Sequence, residues 1–237
     1  MSKPRNFAFF PIALTMLSII SQPVFAQVRF KPPSTKPPVV TRPGGSRGEC
    51  VDKTQQGLRF VKGLIPKNNF GLTTSANPTL MVYIPKSTAT NLTLELRSED
   101  KKQILLQQNY PVPANASVIP MSLSGTKGSE LKVNQNYYWK VTLICPSRDR
   151  DSGANSVAQG WIQRIQPDAQ IQDAILQAAP QNLPSVYAEA GIWFDALMSL
   201  DALRQQQPRN RLITANWNSL LRSGQIEEAI ISLSNIK

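Results

Sequence analysis

The hydrophobic period of this chain changes once, at Pro167, and the change divides it into two parts that must be built differently. Before Pro167 apolar and polar residues alternate, the period of two that sends successive side chains to opposite faces of a strand. After it apolar residues return every three or four positions, the spacing of a helix face. One chain therefore has to join a β part to a helical part.

In the β part, Thr79–Ile84 is a short apolar run stopped by Pro85, and Asn91–Arg97 places Leu92, Leu94 and Leu96 on one face. Ser98–Lys101 makes a polar turn, and Gln103–Asn109 returns, so these runs read as a hairpin. A further run covers Val118–Leu123. Tyr137–Cys145 is the clearest strand, with Tyr137, Trp139, Val141, Leu143 and Cys145 on one face, and Val157–Ile165 alternates after it. The approach to Tyr137 from Leu131 through Asn134, Gln135 and Asn136 resembles the tyrosine corner of immunoglobulin-like and fibronectin-like sandwiches. The aromatic residues read as core rather than as a ligand platform.

In the helical part, Ile171, Ile175 and Leu176 mark a helix ending before Pro180, and Ser185 caps a second that runs to Gln207, where Pro208 stops it. That second helix is apolar around most of its circumference, which places it between the sandwich and later helices. Gly191, Asp195, Ala196, Leu197, Ser199 and Leu200 are echoed 33 residues later by Gly224, Glu228, Ala229, Ile230, Ser232 and Leu233. The spacing resembles tetratricopeptide units, with chance helical periodicity as the alternative. The fold expected is α+β: an antiparallel immunoglobulin-like or fibronectin-like β-sandwich followed by a small tetratricopeptide-like helical region. Two repeat units leave one apolar side uncapped, and Trp217, Leu220 and Ile230 are the expected partner surface for another protein or a second copy.

The N-terminus carries an address. Lys3 and Arg5 precede an apolar run from Phe7 to Ile20, and Val24-Phe25-Ala26 supplies a small-x-small cleavage site before Gln27. The apolar run is too short to span a bilayer, and no transmembrane helix is expected in the mature chain. From Gln27 to Gly48 the chain holds Arg29, Lys31, Lys36, Arg42 and Arg47 with no carboxylate, together with Pro32, Pro33, Pro37, Pro38 and Pro43. Such a composition favours an extended, disordered spacer. The division is thus signal peptide 1–26, basic proline-rich linker 27–48, sandwich 49–166 and helical region 167–237.

The formal net charge of +11 owes much to that linker, so it does not point to nucleic acid, whose binders cluster cations with aromatics on a folded face. An anionic envelope surface is the partner the tail would suit. The chain has two cysteines, Cys50 and Cys145. In an oxidising compartment an even pair reads as a disulfide, two free thiols being the competing reading. With no histidine in the chain, Ser-His-Asp and Cys-His catalysis and His-ligated zinc are excluded. No phosphate-loop or dinucleotide fingerprint occurs, and Gly125-Thr-Lys-Gly128 reads as a turn. Asp149-Arg-Asp151-Ser-Gly153 lacks the acid of a calcium loop at its twelfth position, which is Gly160. Asn91-Leu-Thr93 and Asn115-Ala-Ser117 are glycosylation sequons by pattern. No catalytic residue, metal site or cofactor is expected.

Taken together, Pro43–Gly48 before Cys50, Asn77-Pro-Thr79 before the strand ending at Pro85, Tyr138-Trp139 with Cys145, Gln159–Ile162 with Arg164, Gly191–Ala196, and Trp217 with Leu220-Leu221 resemble a cyanobacterial family known as domain of unknown function 928. The resemblance implies an extracytoplasmic protein and brings no catalytic residues. The function expected is a non-catalytic periplasmic or extracellular interaction module. The alternatives are an envelope glycan-acting enzyme using paired carboxylates and a structural envelope component held by the basic tail.

Overall fold

The computed structural model describes residues 27–35, 38, 50–52, 58–125, 130–146 and 155–235. The expected signal peptide, most of the basic linker and the Asp149–Gly153 loop lie outside these residues. Among the described residues eight strands come first: β1 (Lys62–Gly63), β2 (Phe70–Thr73), β3 (Thr79–Ile84), β4 (Asn91–Arg97), β5 (Ile104–Tyr110), β6 (Ser117–Ser122), β7 (Asn136–Ile144) and β8 (Ser156–Arg164). Five helices come after them: α1 (Ala169–Gln177), α2 (Leu183–Glu189), α3 (Trp193–Gln206), α4 (Arg211–Ser223) and α5 (Glu228–Ser234). The α+β order expected from the change of period is the order observed.

The strands form a three-stranded sheet, β1-β3-β6, and a five-stranded sheet, β2-β8-β7-β4-β5. All pairings are antiparallel except β2 with β8, where Phe70 lies opposite Trp161 and Thr73 opposite Arg164. Between β1 and β2 the chain leaves one sheet for the other through a turn at Pro66–Asn69. Asn69 sits there at φ 56, a conformation asparagine tolerates better than most residues, and its N–H donates to the Pro66 carbonyl at 2.8 Å. The alternation in β7 does what its period requires: Tyr137, Trp139, Val141 and Leu143 are all buried. At its entry the Tyr137 hydroxyl accepts from the Lys132 N–H at 2.9 Å and donates to Gln135 Oε1 at 3.1 Å.

Cys50 and Cys145 form a disulfide with Cα atoms 5.3 Å apart, which excludes the free-thiol reading. It ties the end of β7 to a short segment held beside β3 by Thr88 N–H to the Cys50 carbonyl and Asp52 N–H to the Lys86 carbonyl.

The helical part differs from expectation at two points. The helix expected from Ser185 to Gln207 is two helices, α2 and α3, and Ser185 lies inside the first turn of α2 rather than capping it. Gly191 causes the break: it adopts φ +75, which a side chain resists, and a Cβ there would lie 3.0 Å from the Lys31 carbonyl oxygen. The second difference is the presence of Lys31 at that place. Residues 28–31, expected to begin a disordered linker, are packed on the helices. Val28 and Phe30 are 2% and 7% exposed, Phe30 meets the Trp193 ring edge-on at 5.0 Å, and the Lys31 N–H donates to the Ala188 carbonyl at 3.0 Å. The polar, proline-rich composition of the segment as a whole hides two apolar residues at the alternate spacing of an extended peptide.

One continuous core runs from Val28 and Phe30 through both sheets to α2, α3, α4 and α5. Helix α3 lies in its middle, touching β2, β3, α2 and α4 and burying Trp193, Phe194, Ala196, Leu197, Leu200 and Leu203. Its apolar circumference is covered on several sides, as such a helix needs. Helix α1, capped by Asp168 Oδ1 at 2.8 Å from the Ile171 N–H, contributes no buried residue. Among the described residues no helix is long and apolar enough to cross a membrane.

Candidate functional site

The residues expected to meet a partner do not form a surface. Trp217 and Leu220 are fully buried and Ile230 is 2% exposed. The space expected to be open is filled from within: the Arg204 guanidinium lies over the Trp217 ring and α5 packs on β6. Helix α3 packs on α4, and the segment after Gln27 lies along α4, with the Val28 N–H on Asn216 Oδ1 at 3.5 Å and the Phe30 N–H on Ser223 Oγ at 2.8 Å. The chain covers its own helices. Of the two residues flanking the expected cleavage point, Ala26 lies outside the described residues and Gln27 is exposed.

Among the described residues two clefts are lined by buried or partly buried ionisable groups. The first, of about 270 Å³, lies between β6 and the helices and contains Asp201, Arg204, Gln205, Trp217 and Ser234. The Arg204 guanidinium stacks 4.1 Å from the centre of the Trp217 ring, donates to the Ser234 carbonyl at 2.5 Å, and lies 3.7 Å from the Asp201 carboxylate. Burial lowers its pKa, opposed by the charge of Asp201. Through these contacts the arginine caps the last turn of α5, where exposed carbonyls carry partial negative charge, and its role is structural.

The second cleft, of about 310 Å³, lies between the β2–β3 connection and helices α2 and α3, with Asp195, Tyr187, Ser199, Ser75 and Asn77 on its walls. Both carboxylate oxygens of Asp195 accept from the Thr74 N–H at 3.2 Å, and Oδ1 also accepts from Thr74 Oγ1 at 2.5 Å. Burial raises the Asp195 pKa, against the opposing hydrogen bonds from Thr73 and Thr74. Burial likewise raises Tyr187, with the Asp195 charge adding to it. A partly buried carboxylate with a displaced pKa in a cleft makes a candidate functional group. Here its acceptor positions are spent on holding the first turn of α3 against the β2–β3 connection. In the sequence Asp195 stands out only as a member of the 33-residue echo, matched there by Glu228.

Each cleft holds one carboxylate, so neither brings together the acid pair that a glycosidase needs. Among the described residues no group of three or more His, Cys, Asp or Glu side chains could hold a metal ion. Lys101 lies over the rings of Tyr138 and Trp161, 4.4 and 5.0 Å from their centres, and helps cover a small second cluster of Phe70, Leu72, Tyr138 and Trp161 on the outer face of the five-stranded sheet.

The remaining feature is a backbone rather than a side chain. β5 ends the five-stranded sheet with β4 as its hydrogen-bonded neighbour among the described residues. Its seven residues, ILLQQNY, carry no charge and no proline, and Ile104, Gln107 and Asn109 are exposed. The register irregularity at Leu96/Arg97 leaves Leu106–Tyr110 regular. The other sheet ends are protected. β6 contains Pro120 and is covered by α5, β2 is four residues long and covered by α3, and β1 has two residues. Lys101 and Lys102 stand just before β5, and Pro111 just after it.

A family model described as Domain of Unknown Function (DUF928) matches residues 42–233. No curated protein matches the chain.

Proposed function

We propose that this chain, which belongs to the DUF928 family, is an exported, non-catalytic interaction module that binds an extended segment of a protein partner along β5. The observation that carries the reading is the open edge itself. Natural sheets blunt such edges with lysines, prolines, shortness or a covering element, and among the described residues β5 alone of the four sheet ends has none of these within its span. An unblunted edge offers its free N–H and C=O groups to a further strand. Lys102, exposed two residues before β5, favours a partner with an acidic residue at that end.

Export is supported by the disulfide, which suits an oxidising compartment, and by the leader pattern ending at Ala26. We read the sheets as immunoglobulin-like. With β3, β4, β5, β6, β7 and β8 taken as strands B, C, C′, E, F and G, one sheet holds B and E and the other G-F-C-C′, and the bond from the Lys132 N–H back to the Tyr137 hydroxyl supports a tyrosine corner. The α2–α3 and α4–α5 pairs, with Gly191 and Gly224 at matching breaks, support a tetratricopeptide-like reading of the helices.

The test uses a synthetic peptide with the β4 sequence, NLTLELR, a segment that pairs antiparallel with β5 within the fold. Hydrogen exchange of the full mature protein should show β5 amides slowed by millimolar peptide, and the double variant Gln107→Lys, Asn109→Lys should abolish the effect while the protein stays folded. Unchanged β5 exchange in the wild type, or equal protection in the variant, would overturn the reading.

A further inference from the structure

We propose that the mature chain begins with pyroglutamate, formed from Gln27. The inference rests on the reading that export removes residues 1–26. Cleavage after Ala26 makes Gln27 the terminal residue, with its α-amine placed to close a five-membered ring on its own side-chain amide carbon. Such intramolecular placement replaces an encounter between molecules. The α-amino nitrogen attacks Cδ, the Nα–Cδ bond forms, the Cδ–Nε2 bond breaks, and ammonia leaves with the proton the amine gives up. No oxidant, reductant or second reactant is required.

The surroundings favour the step. Gln27 is exposed, so its side chain can turn toward the amine, whereas Val28 is 2% exposed and held by its N–H on Asn216 Oδ1. Arg29 Nη2 donates to Gln27 Oε1 at 3.3 Å, the oxygen on which negative charge grows as the amine attacks. A cationic donor aimed at that oxygen stabilises the charge as it develops. The product is an uncharged lactam over the cleft formed by Gln27, Arg29, Asn218, Ser219 and Arg222.

Cyclisation also protects the docked segment behind it. The first buried core residue stands one position after the terminus, and Phe30 two beyond that. An aminopeptidase that removed two residues would take Val28 out of the core; a lactam gives it no amine to grip.

The experiment is intact-mass measurement and amine labelling of the exported full-length protein, with Gln27→Ala and Arg29→Ala as variants. The expected mass is that of residues 27–237 with the disulfide intact, lighter by one ammonia, about 17 Da, and without a labelled terminal amine. Gln27→Ala should regain the amine and lose residues to aminopeptidase, and Arg29→Ala should cyclise severalfold more slowly. A chain starting at an uncyclised Gln27 after prolonged incubation overturns the proposal alone. A chain starting elsewhere overturns the cleavage reading and this proposal with it.

Discussion

Replacing Phe30 by alanine distinguishes a docked segment from the free tail that composition suggests. Phe30 is 7% exposed, its ring meets the fully buried Trp193, and truncations of buried phenylalanine cost about 3–5 kcal/mol. The site lies near a chain end and can collapse, which favours the lower figure, about 3 kcal/mol. Without that ring, Val28 and the three hydrogen bonds from the N–H groups of Val28, Phe30 and Lys31 contribute about 5 kcal/mol. Ordering about five backbone residues costs a similar ~5 kcal/mol. The segment left without Phe30 is therefore balanced near zero and should be detached in a large share of the molecules. Urea denaturation of disulfide-intact protein should show a loss of about 3 kcal/mol, with a melting temperature lower by roughly 6–12 °C. Proteolysis should then cut before residue 34, which it should not do in the wild type. The double variant Arg29→Ala, Lys31→Ala, which leaves the apolar contacts alone, should stay within about 0.5 kcal/mol of wild type. A Phe30→Ala loss below about 1 kcal/mol would refute the docking argument.

At Gly224 an added Cβ would stand 2.4 Å from the Trp193 ring, whose Nε1 donates to the Leu64 carbonyl at 2.8 Å, so Gly224→Ala should cost about 1–3 kcal/mol in the same denaturation assay. Replacing both cysteines by serine removes a link between residues 95 positions apart, for which chain entropy gives a loss of at most about 5 kcal/mol; equal unfolding of oxidised and reduced protein would contradict it. Asp195 binds its proton more tightly when folded than when unfolded, because burial raises its pKa above 3.8. Its contribution to stability is therefore present at low pH and lost as pH rises through the folded pKa. The stability of wild type relative to Asp195→Asn should accordingly increase as pH is lowered from neutral toward 4, and a gap that narrows instead would overturn the assignment.

What the sequence determined by itself is what repeats locally. The apolar run Thr79–Ile84, buried on both faces, coincides with β3, the alternating Asn91–Arg97 coincides with β4, and the other long runs fall within one residue of β5, β6, β7 and β8, because a period of two leaves one buried face and one register that buries it. The even pair of cysteines likewise sufficed for the disulfide, and the absence of histidine for the excluded chemistries. Strands β1 and β2 were not legible, being two and four residues long, too short to display a period. The break at Gly191 was hidden too: glycine inside a helical pattern is tolerated, and its positive φ belongs to the end of α2, where the Ile192 N–H donates to the Tyr187 carbonyl at 2.8 Å. Whether Trp217, Leu220 and Ile230 faced a partner or the core depended on how α3, α5 and β6 pack around them, with the Arg204 guanidinium over the Trp217 ring. The open edge at β5 was likewise undetermined, since a strand's own residues do not say whether it has one neighbour or two. Periodicity fixes which face of an element must be buried, and only tertiary structure decides what buries it.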